Sequence, residues 1–334
     1  MKALNSRGFI SIMAILIMAI IFLLATFLLH ISNMQYLIAN ASKNNIQSYY
    51  LGEGKVYKIL YLDKYYNREV LPRIKYNLQE KVLAINKEFN MDWEDLVNGD
   101  RYRKVIVSFI EEESRKIMKI RTGFDFKGIK GVMESKVYII KDLYELNEVI
   151  LYDGFFTGSR REEYIEYMEL LQGKIGLNIT DDDIMVVESK DYEKIVILEE
   201  DHRKYMDFYR NHVENPIKRQ YINKDNFFLI IRDSGELILH GEENLKLSGI
   251  IYTEGDIKIN KNLDFCGIII LKGGEITLYP DSRFNLEGII LSRDYPFKSL
   301  GSEVYVNYNK SYIRKNGIYL PGFIELEMKV LQLK

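Results

Sequence analysis

The chain opens with an apolar run that is interrupted only twice. From Phe9 to Leu29 the sequence FISIMAILIMAIIFLLATFLL contains just two polar residues, Ser11 and Thr26. A helix of this length rises about 32 Å, which matches the hydrocarbon thickness of a bilayer. A core helix of a globular domain would carry a polar stripe, and this run has none. The pattern therefore predicts a membrane-spanning helix, with its transmembrane half at residues 9–31.

After this run the pattern becomes amphipathic but stays helical. Apolar residues recur at helical spacing at Ile31, Met34, Leu37, Ile38, Ala41, Ile46, Val56, Ile59 and Leu60. We therefore predict one helix of about 80 Å from Phe9 to about Leu62. Gly52 and Gly54 each cost about 1 kcal/mol in a helix interior, so we expect a bend or fraying there.

The charges that flank the apolar run predict its orientation. Lys2 and Arg7 precede it, and the next formal charge is Lys43. By the positive-inside rule the N-terminus stays in the cytoplasm and the rest of the chain is exported. A secretory signal peptide has a shorter apolar core, so we do not expect cleavage near Ala39 and Ala41. The prediction is a single-pass protein of the cell membrane with an extracytoplasmic head.

Residues 67–225 mix helical and strand patterns, and we predict a mainly helical region. Apolar residues three and four positions apart predict a helix from Tyr102 to Ile120. Within it, the run Glu111–Glu113 followed by two basic residues indicates a solvated helix face. A further helix is predicted from Asp201 to His212.

Strand and capping signals complete this region. Residues 132–140, 186–187 and 195–198 are rich in β-branched residues and predict strands. Ser159 and Glu162 have the spacing of a capping box and predict a helix that ends near Gly173.

The strongest internal repeat lies near the C-terminus. A glycine followed by two isoleucines begins at Gly249, Gly267 and Gly288, at intervals of 18 and 21 residues. Such a period is typical of a β-solenoid, whose apolar faces are buried only when the coils stack. The predicted stack consists of Gly249, Ile250, Ile251, Gly267, Ile268, Ile269, Gly288, Ile289 and Ile290.

The repeat also predicts the number of coils and the position of individual residues within them. We expect about three coils, with each glycine at a tight corner. In the same register, Cys266 shares a column with Ser248 and Glu287. Two flanking β-hairpins are also predicted, 227–231 with 236–240 and 304–308 with 318–320.

Composition and charge exclude several classes of function. The chain has 46 basic and 48 acidic residues, which gives no basic footprint for nucleic acid. Its single cysteine, Cys266, excludes an intrachain disulfide and a multi-cysteine zinc site. We expect no metal at Asp181–Asp183, because no alternating calcium ligands follow.

The sequence also lacks the signals of an enzyme. The segment around Gly52 and Lys55 lacks the spacing of a phosphate-binding loop. The outward acids of the repeat, Asp256, Glu275 and Glu287, share no common column, as a polysaccharide-cleaving site would require. No nucleophile–base arrangement is evident, so we predict neither an enzyme nor a cofactor.

The junction between leader and apolar run resembles a known processing site. Gly8 stands directly before the aromatic Phe9. This pair is similar to the cleavage and methylation site of type IV prepilins. The resemblance implies that residues 1–8 are a leader, that a prepilin peptidase cuts after Gly8, and that Phe9 becomes the methylated first residue.

A second stretch, at residues 44–54, resembles the end of the first helix in PilX-like minor pilins. The matching residues are Gln47, Glu53 and Gly54. Ser48 and Gly52 replace the usual alanines of that motif. The resemblance covers about the first 60 residues and implies contacts with other pilins or pseudopilins through the N-terminal helix.

One position departs from the pattern of major pilins. Those proteins carry a glutamate five residues into the mature chain, where Met13 stands here. That carboxylate pairs with a neighbour's N-terminal ammonium in the fibre, so its loss implies a minor subunit at the tip or in the initiation complex. The alternative is a permanently anchored extracytoplasmic protein that uses its solenoid for surface binding or adhesion.

These observations divide the chain into four parts within an α+β fold. They are a leader (1–8), a long helix (9–66), a mixed region (67–225) and a β-solenoid-like domain (226–334). The Gly-Ile-Ile solenoid is similar to that of PilX-like minor pilins, and it resembles the bactofilin repeat in architecture only.

Overall fold

The computed structural model describes residues 6–81, 87–97, 99–176, 179, 183–190, 192–210, 213–233, 235–240, 244–298 and 303–334. The first five residues of the predicted leader, with Lys2, lie outside the described residues. So do Asp181 and Asp182 of the acidic run and His212 at the end of a predicted helix.

Helices and strands alternate irregularly along the chain. The helices are α1 (Ser6–Tyr61), α2 (Asp63–Tyr65), α3 (Leu71–Leu78), α4 (Ser159–Lys174) and α5 (Lys310–Gly317), with a π-helical turn at Tyr66–Val70. The first nine strands are β1 (Glu88–Asn90), β2 (Lys104–Glu112), β3 (Arg115–Phe126), β4 (Ile129–Ile140), β5 (Ile150–Tyr152), β6 (Met185–Ser189), β7 (Lys194–Glu200), β8 (Arg203–Tyr209) and β9 (Lys218–Tyr221). The last nine are β10 (Phe227–Ile231), β11 (Glu236–His240), β12 (Asn244–Thr253), β13 (Ile257–Ile259), β14 (Asn262–Leu271), β15 (Ile276–Leu278), β16 (Phe284–Ser292), β17 (Val304–Asn307) and β18 (Ile324–Leu333).

The long N-terminal helix is confirmed. Helix α1 is continuous for 56 residues and passes through Gly52 and Gly54 without the expected break. It is long and apolar enough to span a membrane. The Thr26 hydroxyl bonds back to the carbonyl oxygens of Phe22 and Leu23, so it leaves no unpaired polar group in the apolar half.

The C-terminal end of α1 packs against an antiparallel sheet. This sheet has the strand order β1-β2-β3-β4-β18. Val56, Ile59 and Leu60 of α1 are buried, and the helix contacts β3, β4 and β18. The last strand of the chain therefore completes a sheet that begins near residue 88.

The prediction that residues 67–225 are mainly helical is wrong. Strands β1 to β9 all lie there, whereas α3 has 8 residues and α4 has 16. The predicted helix from Tyr102 to Ile120 is the hairpin β2–β3. Its turn residues Glu113 and Ser114 have φ of +50° and +65°, values that suit a tight hairpin turn and stop a helix.

The charged run at this turn pairs across strands instead of along a helix. In the hairpin register Glu111 lies opposite Lys116 and Glu112 lies opposite Arg115. Opposite charges on facing strands stabilise such pairs. The same charge pattern therefore suits a hairpin as well as a helix, and β-branched residues on both strands favour the hairpin.

A second predicted helix, from Asp201 to His212, is also a strand. Residues Asp201 and His202 form the turn with positive φ, and Arg203–Tyr209 is β8, antiparallel to β7. The predicted helix from Ser159 is confirmed as α4. Its N-cap is Gly158, and no side chain caps it, so the predicted capping box does not form.

The C-terminal β-solenoid is confirmed. One of its sheets, called here the first solenoid sheet, has the order β17-β16-β14-β12-β10-β6 with β5 added to β16. The other, the second solenoid sheet, has the order β15-β13-β11-β7-β8-β9. The repeats form about three turns, with Ile250, Ile268 and Ile289 in one column as predicted. Strands β6 and β7, from before residue 226, extend both sheets in the same parallel direction.

Neither predicted flanking hairpin is present. Strands β10 and β11 belong to different solenoid sheets, because the chain between them turns a corner of the coil. Strand β17 runs parallel to β16, and residues 318–320 follow α5 without forming a strand. In both places stacking on a neighbouring coil buries apolar side chains that an isolated hairpin would leave exposed.

The first solenoid sheet is buried on both faces along the Gly-Ile-Ile segments. Leu247 and Ile251 face the solenoid core, which lies between the two solenoid sheets. Ile250 and Tyr252 face the other way, into a central core shared with α1, α4, α5 and the antiparallel sheet. A parallel sheet covered on both faces carries continuous apolar runs, which explains why the repeats do not alternate.

The repeat glycines lie in the middle of strands and not at the predicted corners. They stack in one column of a continuous parallel ladder, where a side chain would point at the backbone of the neighbouring coil. A Cβ atom on Gly267 would lie 1.9 Å from the carbonyl oxygen of Gly249, and the φ of Gly267 is +150°. Only glycine fits both the space and the backbone conformation.

We expect Gly267→Ala to lower the free energy of unfolding by at least about 2 kcal/mol, because neighbouring coils must separate to admit the methyl group. Urea unfolding of the full chain in micelles, followed by circular dichroism, measures this. Gly54→Ala is the matched control: its Cβ would meet no atom within 4 Å, so helix propensity should leave it neutral or slightly stabilising. Equal stability of the two variants would contradict the close approach.

Buried tyrosines join α4 to the solenoid and to the end of the chain. The Tyr164 hydroxyl lies 2.8 Å from the carbonyl oxygen of Leu151 and accepts a hydrogen bond from the Ser292 amide. The hydroxyls of Tyr144 and Tyr167 are 2.8 Å apart. Burial raises the pKa of all three phenols above the ordinary value of 10.0.

This cluster predicts a loss of stability at alkaline pH. Above pH about 10 the unfolded chain releases phenolic protons that the folded chain retains, so the free energy of unfolding falls as pH rises. Tyr167→Phe removes one such group and should reduce the slope by about 0.7 kcal/mol per pH unit at pH 10, rising towards about 1.4 kcal/mol per pH unit near pH 11. Denaturation between pH 9 and 11 measures it, with the exposed Tyr279→Phe as control. Parallel slopes for wild type and Tyr167→Phe would refute the assignment.

Candidate functional site

The most unusual surface of the molecule is the N-terminal half of α1. From Phe9 to Gln47 this helix projects from the head, and nearly all its side chains are exposed. Large apolar residues such as Phe22, Leu28 and Leu37 are among them. A surface of this size needs a membrane or other protein to cover it.

The residues of the predicted processing site lie at the start of this projecting helix. Gly8 is already within α1, and Phe9 follows it with 69% of its surface exposed. Met13 lies one turn further along and is 44% exposed. An exposed apolar thioether therefore occupies the position that the predicted resemblance compares with the glutamate of major pilins.

The second motif spans the point where α1 reaches the head. Gln47 is exposed, and Glu53 and Gly54 are half-buried, so these three matching residues lie away from the packed side of the helix. The neighbouring Ser48 and Gly52 are buried instead. The packed face of α1 thus includes the two positions that replace the motif's alanines.

Gly52 brings α1 close to the antiparallel sheet. A Cβ at this position would lie 3.0 Å from the Phe124 ring and 3.1 Å from the Met133 methyl group. Glycine therefore permits a close crossing of the helix over β3 and β4. The Ser48 hydroxyl, one turn earlier, is satisfied by the carbonyl oxygen of Asn44.

A buried ion pair, directly after Gly54 in the helix, fixes α1 to the sheet. The ammonium of Lys55 lies 2.6 Å from the carboxylate of Asp100, and both side chains are almost fully buried. The same ammonium donates to the carbonyl oxygens of Tyr102 and Gly123, at 2.5 and 2.8 Å. Desolvation lowers the pKa of Lys55, while hydrogen bonding to Asp100 opposes that shift.

Asp100 is itself held by the backbone. Its other carboxylate oxygen accepts hydrogen bonds from the amides of Tyr102 and Asp125, at 3.0 and 3.2 Å. Lys55 and Asp100 therefore connect α1, the loop before β2 and the end of β3 in one network. Sequence analysis missed this pair, because residues so far apart in the chain give no local signal.

A second buried charge ties α5 to the antiparallel sheet. The guanidinium of Arg314 donates to the carboxylates of Glu111 and Glu145 and to the carbonyl oxygen of Ser114. Burial raises the pKa of Glu145, whereas the hydrogen bond from Arg314 lowers that of Glu111. The acidic run at residues 111–113, predicted as a solvated face, therefore includes a structural anchor.

The predicted solenoid stack serves packing in the described structure. Ile250, Ile268 and Ile289 enter the central core, and Ile251, Ile269 and Ile290 enter the solenoid core. Cys266 shares its column with Ser248 and Glu287, as predicted, and is half-buried. Among the described residues, no group of three His, Cys, Asp or Glu side chains could hold a metal ion.

Comparison with known proteins gives no relative: no family model, no curated protein and no solved structure matches this chain. The geometry of the helix and head must therefore carry any functional argument.

We expect Lys55→Met to lower the free energy of unfolding by about 3 kcal/mol, because it leaves the Asp100 carboxylate buried without its counter-ion. The double variant Lys55→Met/Asp100→Asn removes that charge and should recover part of the loss. Urea unfolding followed by Trp93 fluorescence measures all three proteins.

Lys58→Met is the matched control for this test. Lys58 lies on the exposed side of α1 and donates to the carbonyl oxygen of Asp95, so its replacement should change stability by less than about 1 kcal/mol. A Lys55→Met protein as stable as Lys58→Met would show that the ion pair does not hold the helix.

Proposed function

We propose that this chain is a minor pilin or pseudopilin of a type IV pilus or related filament, inserted in the membrane before assembly. The observation that carries the proposal is the division of α1 into two halves. Its first half projects as an exposed apolar rod, and its second half packs on an antiparallel sheet. A pilin needs such a helix, first in the membrane and then in the fibre core.

The length of the projecting helix supports a filament over a simple anchor. Residues 9–47 extend about 58 Å, whereas a bilayer needs only about 30 Å. The excess after residue 31 still exposes large apolar side chains, including Met34, Leu37, Ile38 and Ile46. A membrane anchor would leave them in water, whereas neighbouring helices in a filament would cover them.

Met13 supports a specialised position within that filament. In this proposal the subunit lacks the carboxylate that would receive a neighbour's N-terminal ammonium. A subunit at the tip or in the initiation complex needs neighbours on one side only, so it tolerates this loss. The head would then lie outside the cytoplasmic membrane.

We expect a prepilin peptidase to hydrolyse the Gly8–Phe9 peptide bond and Phe9 to become N-methylated. Co-expression with such a peptidase, followed by intact mass measurement and N-terminal sequencing, tests this. Gly8→Val should block cleavage, because it adds a branched side chain beside the scissile bond. Ala14→Val, the same kind of enlargement beyond the junction, should be processed like wild type.

Shearing of cells separates the two functions that the sequence leaves open. A minor pilin should appear with filament subunits in the sheared fraction, and Gly8→Val should remain in the membrane. A chain that keeps its leader beside an active peptidase and stays wholly in the membrane fraction would refute the proposal. That result would favour the permanently anchored surface protein.

A further inference from the structure

A polar cleft of about 540 Å³ opens on the outer face of the first solenoid sheet. Its floor consists of two columns of outward side chains, one residue from each coil. The columns are Lys246, Asp264 and Asn285, and Ser248, Cys266 and Glu287. Adjacent members of a column lie about 4.8 Å apart, the spacing of neighbouring strands.

The cleft exists because only half of this outer face is covered. Beyond the glycine column the outward residues, such as Ile250 and Tyr252, are buried in the central core. Before the glycine column the outward residues are polar and lie at the surface or half-buried. The same strands therefore provide both a packing face and an open polar face.

The floor is ordered by its own hydrogen bonds. The Asp264 carboxylate accepts from the amides of Asn244 and Asn285, at 2.7 and 3.3 Å. The Asn309 amide donates to Glu287 at 3.0 Å. These contacts fix planar polar groups in place and leave carboxylate lone pairs available to a ligand.

Aromatic side chains and balanced charges form the walls. Tyr312 of α5 and Tyr221 of β9 line the cleft. The charged lining residues include three lysines and three acids: Lys204, Lys224, Lys246, Asp225, Asp264 and Glu287. Because the positive and negative charges of the lining are equal in number, the cleft does not strongly attract a polyanion.

The cleft also differs from a peptide groove and from a catalytic site. Its floor strands β12 and β14 each pair with a strand on both sides, so no free edge can take up an added strand. Burial raises the pKa of the Cys266 thiol, which keeps it protonated and weakly nucleophilic. Fixed carboxylates and amides beside aromatic rings suit a ligand with many hydroxyl groups.

We propose that this cleft binds a neutral saccharide, with Asp264 and Asn285 as hydrogen-bonding partners and Tyr312 as a stacking wall. Each successive strand along the columns presents a further pair of side chains, which successive sugar residues can contact. The inference goes beyond the proposed function and does not depend on it, since it concerns the head alone.

The test uses the full chain in a detergent without a sugar headgroup. A microarray of neutral oligosaccharides, sulfated oligosaccharides and peptides identifies the class of ligand, and calorimetry with the strongest neutral probe measures Kd. We expect neutral oligosaccharides to be retained. Asp264→Ala and Tyr312→Ala should each weaken binding by about tenfold or more, the effect of losing a charged hydrogen bond or a stacked ring.

Matched controls distinguish a local effect from misfolding. Asp294→Ala and Tyr279→Ala change exposed residues outside the cleft lining and should bind like wild type. Asp264→Asn keeps the shape of the floor while replacing an acceptor by a donor, and should also weaken binding. Retention of sulfated glycans or peptides alone, or equal Kd values for cleft and control variants, would overturn the proposal. Neither result would bear on cleavage at Gly8, which a separate mass measurement reads.

Discussion

The burial of the first solenoid sheet on both faces is the constraint on which the head depends. On one face its isoleucines close the solenoid core, and on the other they meet the central core with α1, α4, α5 and the antiparallel sheet. A solenoid sheet normally needs only its own coils to bury its inner face. Here the outer face is apolar too, so the helices and the antiparallel sheet must pack against it.

Helix α1 connects this head to the membrane or protein that covers the projecting half of the helix. Two residues fix the packed end of the helix. Gly52 permits its close crossing over the antiparallel sheet, and the Lys55 ammonium contacts the Asp100 carboxylate and two backbone carbonyl oxygens. A buried ion pair adds little net stability compared with apolar packing. We infer that it selects this register of the helix, because a shifted helix would leave the Asp100 carboxylate buried without its counter-ion. A pull on the projecting half of the helix would therefore act on the head through the contacts of Gly52 and Lys55.

The two ends of the molecule have different proposed roles. The projecting helix would provide membrane insertion and filament contacts, because its apolar surface extends beyond a bilayer's needs. The polar columns of the solenoid would provide recognition, because they line an open cleft beside Tyr312 of α5. Under these proposals a minor subunit with a binding head would combine both, since the same central core holds the helix and the solenoid together.

Elements with local or periodic signals could be predicted from the amino-acid sequence alone. The apolar run specified the long helix, and the spacing of the Gly-Ile-Ile copies specified the columns that stack Ile250 on Ile268 and Ile289. The prediction for residues 102–120 was wrong because apolar residues three and four positions apart and the charged run suit a helix as well as a hairpin. The β-branched residues that favour strands were outweighed, since the partner strand gives no local signal. Three features became visible only in the folded chain: β18 pairs with β4, Lys55 pairs with Asp100, and half of one sheet face stays open as a cleft. Those contacts join residues far apart in the chain, and no local pattern encodes which distant surface a side chain will meet.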